Sequence, residues 1–527
     1  MASPSRCASF KLPRSSVDAT LTKTTFFPEN ATVDITNPFS SINTNTLPAF
    51  CRVEVAITTN STANSTAHAE LWLPESFNGR FLGFGNGGFG GGVNVADLGF
   101  VAVTQGFAGM STDTGHLSGS GDGSWAGPHN DNAIIDWSWR ALHLSVIVGK
   151  AVVKSYYGRP QSKSYYLGCS TGSDPLKEAG RFPEDFDGIV IGSPANRMAT
   201  LQPWSIHASL EVMPVDSPRF IPANTWNNVV HPEVLKQCDS LDGLADGIIN
   251  DPLKCNFRPE TLTCRPGQNT STCLNLDQID AIHHLYAPYF DTNQTFVFTG
   301  FYPGGETGLG FGLLGAVPFS IPADFYKFFV LNDTSFTQDQ FNFDIAQLGE
   351  RLNVGTMDIA PSDLSSFLDP KRGGKILQYV GWADQLISVG NSLTFFESVH
   401  AFIQSTTNNN IDDFYRLFTV PGMQHWQSLI ACHEFNSAGG SSANAFGGSG
   451  QASSAMPPSS LDAQHNILAA MVQWVEHGIA PDTVIATAWK GNNVSNGLDF
   501  QRPLCKYPTN LVFKGGDSND LKNFACV

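Results

Sequence analysis

The sequence predicts an α/β fold in which one parallel sheet is interrupted by a large insertion. Three observations carry this. Between Tyr165 and Gly192 the chain alternates strand, helix and strand: a buried-strand ending at Tyr165-Tyr-Leu167, good helix formers over Leu176–Arg181, then the apolar Phe186-Asp-Gly-Ile-Val-Ile-Gly192. After a long stretch of different texture, buried-strand runs return at Lys375-Ile-Leu-Gln-Tyr-Val-Gly381 and Tyr415-Arg-Leu-Phe-Thr-Val420. Gly168-Cys-Ser-Thr-Gly172 joins the first strand to its helix as a Gly-x-Ser-x-Gly turn, which thrusts a serine out between the two elements.

Size and charge narrow the function classes. A chain of 527 residues is too long for one small core and implies several domains or one large domain carrying an insertion. Its 30 Lys and Arg against 47 Asp and Glu give a net charge of -17, which argues against nucleic acid or an anionic membrane surface as partner. No apolar run approaches membrane-spanning length. Ten cysteines, with Asn-x-Ser/Thr triplets at Asn30, Asn60, Asn64, Asn269, Asn293, Asn332 and Asn493, fit an oxidising, glycosylating and secreted setting. No apolar leader follows Met1, so a removed signal peptide is expected.

In chain order, the part up to about Phe81 mixes short apolar runs (Val53–Ile57, Leu71–Leu73) with Asn/Thr-rich turns and reads as antiparallel strands. Gly83-Phe-Gly-Asn-Gly-Gly-Phe-Gly-Gly-Gly92 follows, a stretch whose backbone N–H groups are free to point at a ligand; a plain surface loop fits the same composition. No Gly-Lys-Ser/Thr ending supports a phosphate loop. Past Phe100–Val103 and the turn Thr112–His116, apolar residues at helical spacing (Ile135, Trp139, Leu142, Val146, Val153) predict a helix over Asn132–Tyr156. Residues 201–368 form the expected inserted lid, between a first part of the main domain at 1–200 and a second at 369–527. Within the lid, Asp239, Asp242 and Asp246 recur among glycines. Hard carboxylate oxygens on one short loop suit Ca²⁺, although the spacing is not that of an EF-hand and a solvated Asp-Gly turn fits as well. Gly439–Ser460 is expected to be a flexible loop, and Ile467–His477 a helix.

Acyl transfer by serine needs a hydroxyl, an imidazole to take its proton and a carboxylate to orient the imidazole. Ser170, Asp384 and His425 each follow a buried-strand run, in the Ser–Asp–His order of the α/β-hydrolase fold. Taken singly, Asp384 reads equally as a helix cap, His425 as a packed loop histidine, and His433 as a competing base.

The chain resembles the fungal tannase and feruloyl esterase family of carboxylic ester hydrolases, on stretches spread over nearly its whole length. These are Phe81-Leu-Gly-Phe-Gly-Asn-Gly-Gly-Phe-Gly-Gly, Thr112-Asp-Thr-Gly-His, Gly168-Cys-Ser-Thr-Gly, Arg181-Phe-Pro-Glu-Asp-Phe-Asp-Gly, the Asp-rich loop and Val420-Pro-Gly-Met-Gln-His. The resemblance implies an α/β-hydrolase fold with a large inserted lid, Ser170 as nucleophile, Asp384 as orienting acid and His425 as general base. It implies the amides of Thr171, Gly87 and Gly88 as oxyanion donors. It implies structural Ca²⁺ held by Asp239, Asp242 and Asp246 with the carbonyls of Leu244 and Ile248. By the same analogy Cys7 pairs with Cys51, Cys238 with Cys255, Cys264 with Cys273 and Cys505 with Cys526, leaving Cys169 to pair with Cys432.

Two positions depart from the family pattern. Trp426 stands after His425 where the pattern has cysteine, at the start of an insertion reaching about Ala438, and Ser173-Asp174-Pro175 shortens the turn after the elbow, bringing a carboxylate near a developing oxyanion. The reading reached is a secreted serine esterase for phenolic acid esters, feruloyl esters of plant cell-wall polysaccharide first. The alternatives are a tannase cleaving galloyl esters and a catalytically silent, calcium-stabilised binding protein.

Overall fold

In the computed structural model the apolar runs assemble into one nine-stranded sheet. The structure describes residues 4–173, 175–407, 409–425, 434–435, 459–490 and 494–527. The strands are β1 (Ala19–Phe27), β2 (Phe50–Asn60), β3 (Ser65–Pro74), β4 (Arg80–Phe84), β5 (Ala108–Thr112), β6 (Lys163–Cys169), β7 (Gly188–Gly192), β8 (Lys375–Gly381) and β9 (Tyr415–Val420). They lie in the order β1-β2-β3-β5-β4-β6-β7-β8-β9. The first three and β5 pair antiparallel, and from β5 through β4 to β9 every pairing is parallel. The antiparallel N-terminal strands are thus an extension of the same sheet.

Parallel strands carry helices on both faces, so they read as mainly apolar runs rather than alternating ones, with Gln378 in β8 and Arg416 and Thr419 in β9 as polar exceptions. All five residues of β7 and all six of β9 are buried. One face is covered by α1 (Ala141–Tyr157), α2 (Pro175–Arg181) and α4 (Val389–Thr406), through side chains such as Leu142, Val146, Leu176 and Phe396. The other is covered by α5 (Ile467–His477), through Leu468, Met471 and Trp474. The expected helix over Asn132–Tyr156 is present with a π-helical turn, Asp136–Arg140, spliced in front of α1. It ends at Gly158, where φ of 72° needs no Cβ to be accommodated. The apolar run Phe100–Val103 is helical, and the strand beside it is β5.

Between β7 and β8 the chain leaves the sheet and builds a core of its own, packed from Trp204 of α3 (Met198–Val212) with Trp226, Leu313, Phe325 and Phe329. Its texture suggests loops; most of its apolar weight instead sits on short helices. Cys7–Cys51, Cys238–Cys255, Cys264–Cys273 and Cys505–Cys526 are bridged, with Cα separations of 4.9–5.6 Å that a disulfide spans without distortion. Cys169 is disulfide-bonded, and Cys432, the partner expected for it, lies outside the described residues. So do Asp174, Trp426, His433 and nearly all of the Gly439–Ser460 stretch. No described helix is long and apolar enough to cross a membrane.

Candidate active site

Register fixes the place of the three side chains. Cys169 lies opposite Gly192, Gly192 opposite Tyr379, and Gly381 opposite Val420, so β6, β7, β8 and β9 end at one edge of the sheet. Ser170 follows the first of these ends, Asp384 the third and His425 the fourth. Ligand sites in open α/β sheets form at the carboxyl ends of the strands, because each chain turns away there and leaves room.

Ser170 has φ of 58°, a left-handed conformation that costs a residue with a Cβ about 1 kcal/mol or more and persists where the surroundings impose it. Here the carbonyl of Ser170 accepts the amide of Ala195, from the loop after β7, at 3.1 Å. Strain at a serine between a strand end and a helix is the mark of a nucleophile elbow.

Asp384 and His425 meet. The Nδ1 of His425 lies 2.7 Å from Oδ2 of Asp384, and both side chains are buried. The other oxygen, Oδ1, accepts the amides of Leu386 (3.0 Å) and Ile387 (2.8 Å). A carboxylate fixed by two amides leaves its second oxygen to accept from Nδ1–H, which places the imidazole lone pair on Nε2. The two loops are also tied by backbone: Trp382 donates to Val420 (3.0 Å) and Ala383 to Met423 (3.1 Å). A Cβ on Gly381 would sit 2.0 Å from the carbonyl oxygen of Met423, so glycine is required for this approach.

Several residues that hold the histidine loop carry no signal of that role in the sequence. The amide of His425 donates to Oε1 of Gln385 (3.0 Å), and Gln424 Nε2 donates to Thr307 Oγ1 (2.8 Å) from the lid. The lid segment carrying Thr307 is anchored by Glu306. That carboxylate is fully buried and accepts from His231 Nδ1 (2.7 Å), Tyr286 Oη (2.7 Å) and the amide of Gly304 (2.8 Å). Burial alone would raise its pKa; the His231 contact and these bonds hold it below the ordinary value.

The glycine-rich stretch is fastened in place. The carbonyl of Phe89 accepts from His116 Nε2, Ser118 Oγ and Trp125 Nε1 at 2.9–3.0 Å. Thr171 Oγ1 donates to the carbonyl of Gly88 at 2.7 Å, joining the elbow to the loop. Gly88 has φ of 58°, and a Cβ there would come within 2.2 Å of the Ser120 carbonyl oxygen. Among the described residues, the amides of Gly87 and Gly88 donate to no protein group.

The Asp-rich loop folds into a tight turn. Each carboxylate accepts a nearby amide: Asp239 from Gly247, Asp242 from Leu244 and Asp246 from Ile248. The Oδ1 of Asp239 is buried without a hydrogen-bond partner among the described residues. Burial, with the charges of Asp246 and Asp239 added, pushes Asp242 up to about 6. A cavity of about 10 Å³, room for a single small sphere, is lined by Asp242, Leu244, Asp246 and Ile248 together with Pro421 and Arg502. Half-buried, mutually repelling carboxylates beside such a space have the hard-oxygen chemistry of a Ca²⁺ site, although the oxygens of Asp239, Asp242 and Asp246 do not all lie within 4.8 Å of one another and Asp246 Oδ2 is already paired with Arg502 at 2.8 Å.

The chain matches the family described as tannase and feruloyl esterase over residues 51–308 and 323–527. It belongs to that family. The esterase is 35% identical to a probable feruloyl esterase B-1 of Aspergillus flavus over 479 residues, covering 90% of this chain and 86% of that one. It is 33% identical to a probable feruloyl esterase B-1 of Aspergillus oryzae, over 99% of this chain and 93% of the relative. The crystal structure of feruloyl esterase B from Aspergillus oryzae superposes with a TM-score of 0.85 at 33% identity, covering 99% of each chain. The tannin acyl hydrolase of Aspergillus niger, at 20% identity over 99% of this chain and 94% of its own, shares the fold with a TM-score of 0.73. The protein is therefore a carboxylic ester hydrolase with an α/β-hydrolase-like fold.

Proposed function

We propose that the protein is a secreted serine esterase that cleaves feruloyl and related hydroxycinnamoyl esters of plant cell-wall polysaccharide through an acyl-enzyme. The observation that carries this reading is the buried 2.7 Å contact between His425 Nδ1 and Asp384 Oδ2, at the sheet edge where Ser170 sits strained. Ser170 Oγ attacks the ester carbonyl carbon while its proton passes to Nε2 of His425. The imidazolium so formed is stabilised by Asp384 through Nδ1–H. Negative charge gathers on the carbonyl oxygen, toward which the amides of Thr171, Gly87 and Gly88 donate. Collapse breaks the bond to the alcohol oxygen, which takes the proton from His425, leaving the acyl group on Ser170. A water activated by the same imidazole then releases the acid and restores the serine.

The feruloyl reading of the acyl group is supported by the relatives that bear the name feruloyl esterase B at 33–35% identity. The tannin acyl hydrolase is too distant to argue for a galloyl group. Secretion is supported by the four disulfides among the described residues. When bound, Ca²⁺ would supply positive charge to its loop and no acid–base chemistry; Asp239, Asp242 and Asp246 with the carbonyls of Leu244 and Ile248 would hold it. The deciding assay is hydrolysis of methyl ferulate and methyl gallate by the protein and by Ser170→Ala. The substitution is expected to lower kcat on the order of 10⁶-fold. Equal turnover by both proteins would remove Ser170 from the reaction, and turnover by neither would leave a silent scaffold.

A further inference from the structure

A second cavity, of about 450 Å³, lies between the lid and the N-terminal half of α4, in the size range of about 300–1,000 Å³ usual for small-molecule sites. It shares a wall with the active site. The loop after β7 donates from Ala195 to the carbonyl of Ser170 at 3.1 Å. Its neighbours Pro194 and Asn196 accept from Asn391 Nδ2, at 2.9 and 2.8 Å, and Asn391 lines the cavity.

The lining has three chemical parts. Phe298 and Phe395 form a buried apolar floor, and Phe296 stands 44% exposed among the lining residues. Neutral polar groups interrupt this surface: Asn353, Asn391 and Thr394. Among the described residues Asn391 Oδ1 and Asn353 Nδ2 make no hydrogen bond, one an acceptor and the other a donor. The charged lining residues are Arg197, whose guanidinium makes no hydrogen bond among the described residues but whose charge acts on Asp358, and Glu350, Asp358 and Asp363.

We propose that this cavity binds a neutral carbohydrate segment. An anion, the phenolic acid product included, meets three carboxylates against one guanidinium. An apolar guest would leave the amides, the hydroxyl and Arg197 without partners. A polyhydroxylated ring presents hydroxyls that both donate and accept along its rim and C–H faces that lie flat on an aromatic ring, which matches Phe296 beside Asn353, Asn391 and Arg197. The proposal rests on the reading that the ester is borne by a polysaccharide: the cavity would grip the sugar chain while the acyl group is processed at the adjoining strand ends.

The test is isothermal titration of the full chain with ester-free xylotetraose, and with a galacturonate oligomer of similar length. Saturable binding of xylotetraose, at least tenfold tighter than the acidic oligomer, is expected. Arg197→Ala should weaken it about tenfold, and Thr394→Trp, which fills the cavity, should abolish it. Both variants should keep the melting temperature and the kcat/KM of the protein on methyl ferulate, which needs no sugar site. Absence of xylotetraose binding, equal affinity for the acidic oligomer, or unchanged affinity in both variants would overturn the proposal. Each of these outcomes is compatible with full activity on methyl ferulate, and loss of that activity in the unmutated protein would count against the esterase reading instead.

Discussion

Replacing Asp384 by asparagine tests the proposed machinery at a single atom. The side chain keeps its shape, and the backbone decides how the amide sits. Oδ1 accepts from Leu386 and Ile387 at 3.0 and 2.8 Å, so the amide oxygen must take that place. The NH₂ group then occupies the position 2.7 Å from Nδ1 of His425. Two donors cannot face each other at that distance, and the imidazole shifts its proton to Nε2, leaving Nδ1 to accept. Nε2 then has no lone pair with which to take a proton from Ser170. The opposite amide orientation would aim NH₂ at two backbone N–H groups and sacrifice both bonds. The expected loss is on the order of 10⁴ in kcat, with the fold intact, or about 5.4 kcal/mol of transition-state stabilisation at about 1.36 kcal/mol per decade. Initial rates on methyl ferulate over a range of concentrations separate kcat from KM, and a thermal melt checks the fold. A variant that melts like its parent and keeps more than a tenth of its kcat would refute the assignment of His425 as base.

Three further outcomes are expected. Gly88→Ala forces a Cβ to within 2.2 Å of the Ser120 carbonyl oxygen at φ of 58°, and should lower kcat on methyl ferulate on the order of 10²-fold by displacing the proposed oxyanion donors; an unchanged kcat would remove this loop from the site. Chelation with EDTA should lower the melting temperature while kcat changes by no more than a few fold, and in the chelated protein Asp242→Asn should melt higher than its parent because it removes half-buried like-charge repulsion; a melting temperature indifferent to EDTA would dismiss the ion. Melting temperature should also fall as pH rises from about 5 to 9. Burial, with Asp185 added, pushes Glu178 up from 4.5 to about 8, so its contribution is lost as pH climbs through that window. His143 is lowered by burial but raised more by its bond to Asp185, to about 9, so its contribution is full below 6.5 and lost through about 9. Glu178→Gln should flatten the lower part of this slope, and a melting temperature that rises from about pH 5 to 9 would contradict both groups.

The parallel half of the sheet was legible because strands covered on both faces are mainly apolar, as Ile189-Val-Ile191 is throughout and Ile376–Val380 is apart from Gln378. The lid was legible as a break in texture but not in structure. The apolar residues of its helices meet partners from distant segments, as Trp204 meets Phe298 and Phe301. α3 is buried on nearly every side, so its sequence shows no single apolar face, and most of the other helices have too few turns for a periodicity to show. The residues that steady the site were hidden for the same reason. Gln385, Thr307 and Glu306 act through contacts spanning 40, 117 and 75 positions respectively, and nothing local marks a glutamine that will receive an amide from His425.

Asp384 shows why two competing readings of one residue need not exclude each other. As a cap, an aspartate after a strand accepts amides from the turn that follows; as an orienting acid, it must present a fixed oxygen to an imidazole. A carboxylate has two oxygens, and here they divide the work: Oδ1 takes Leu386 and Ile387, Oδ2 takes His425. The cap supplies the rigidity that the second role demands, since an acid free to rotate would let the imidazole turn with it. The same logic applies to Gly381, whose missing side chain looks like simple strand-end punctuation. Its Cβ would strike the Met423 carbonyl at 2.0 Å, so the absence of that atom is what lets the acid loop and the histidine loop approach. Local turn chemistry at these positions is therefore the means by which separate strands deliver Asp384 and His425 to the same place.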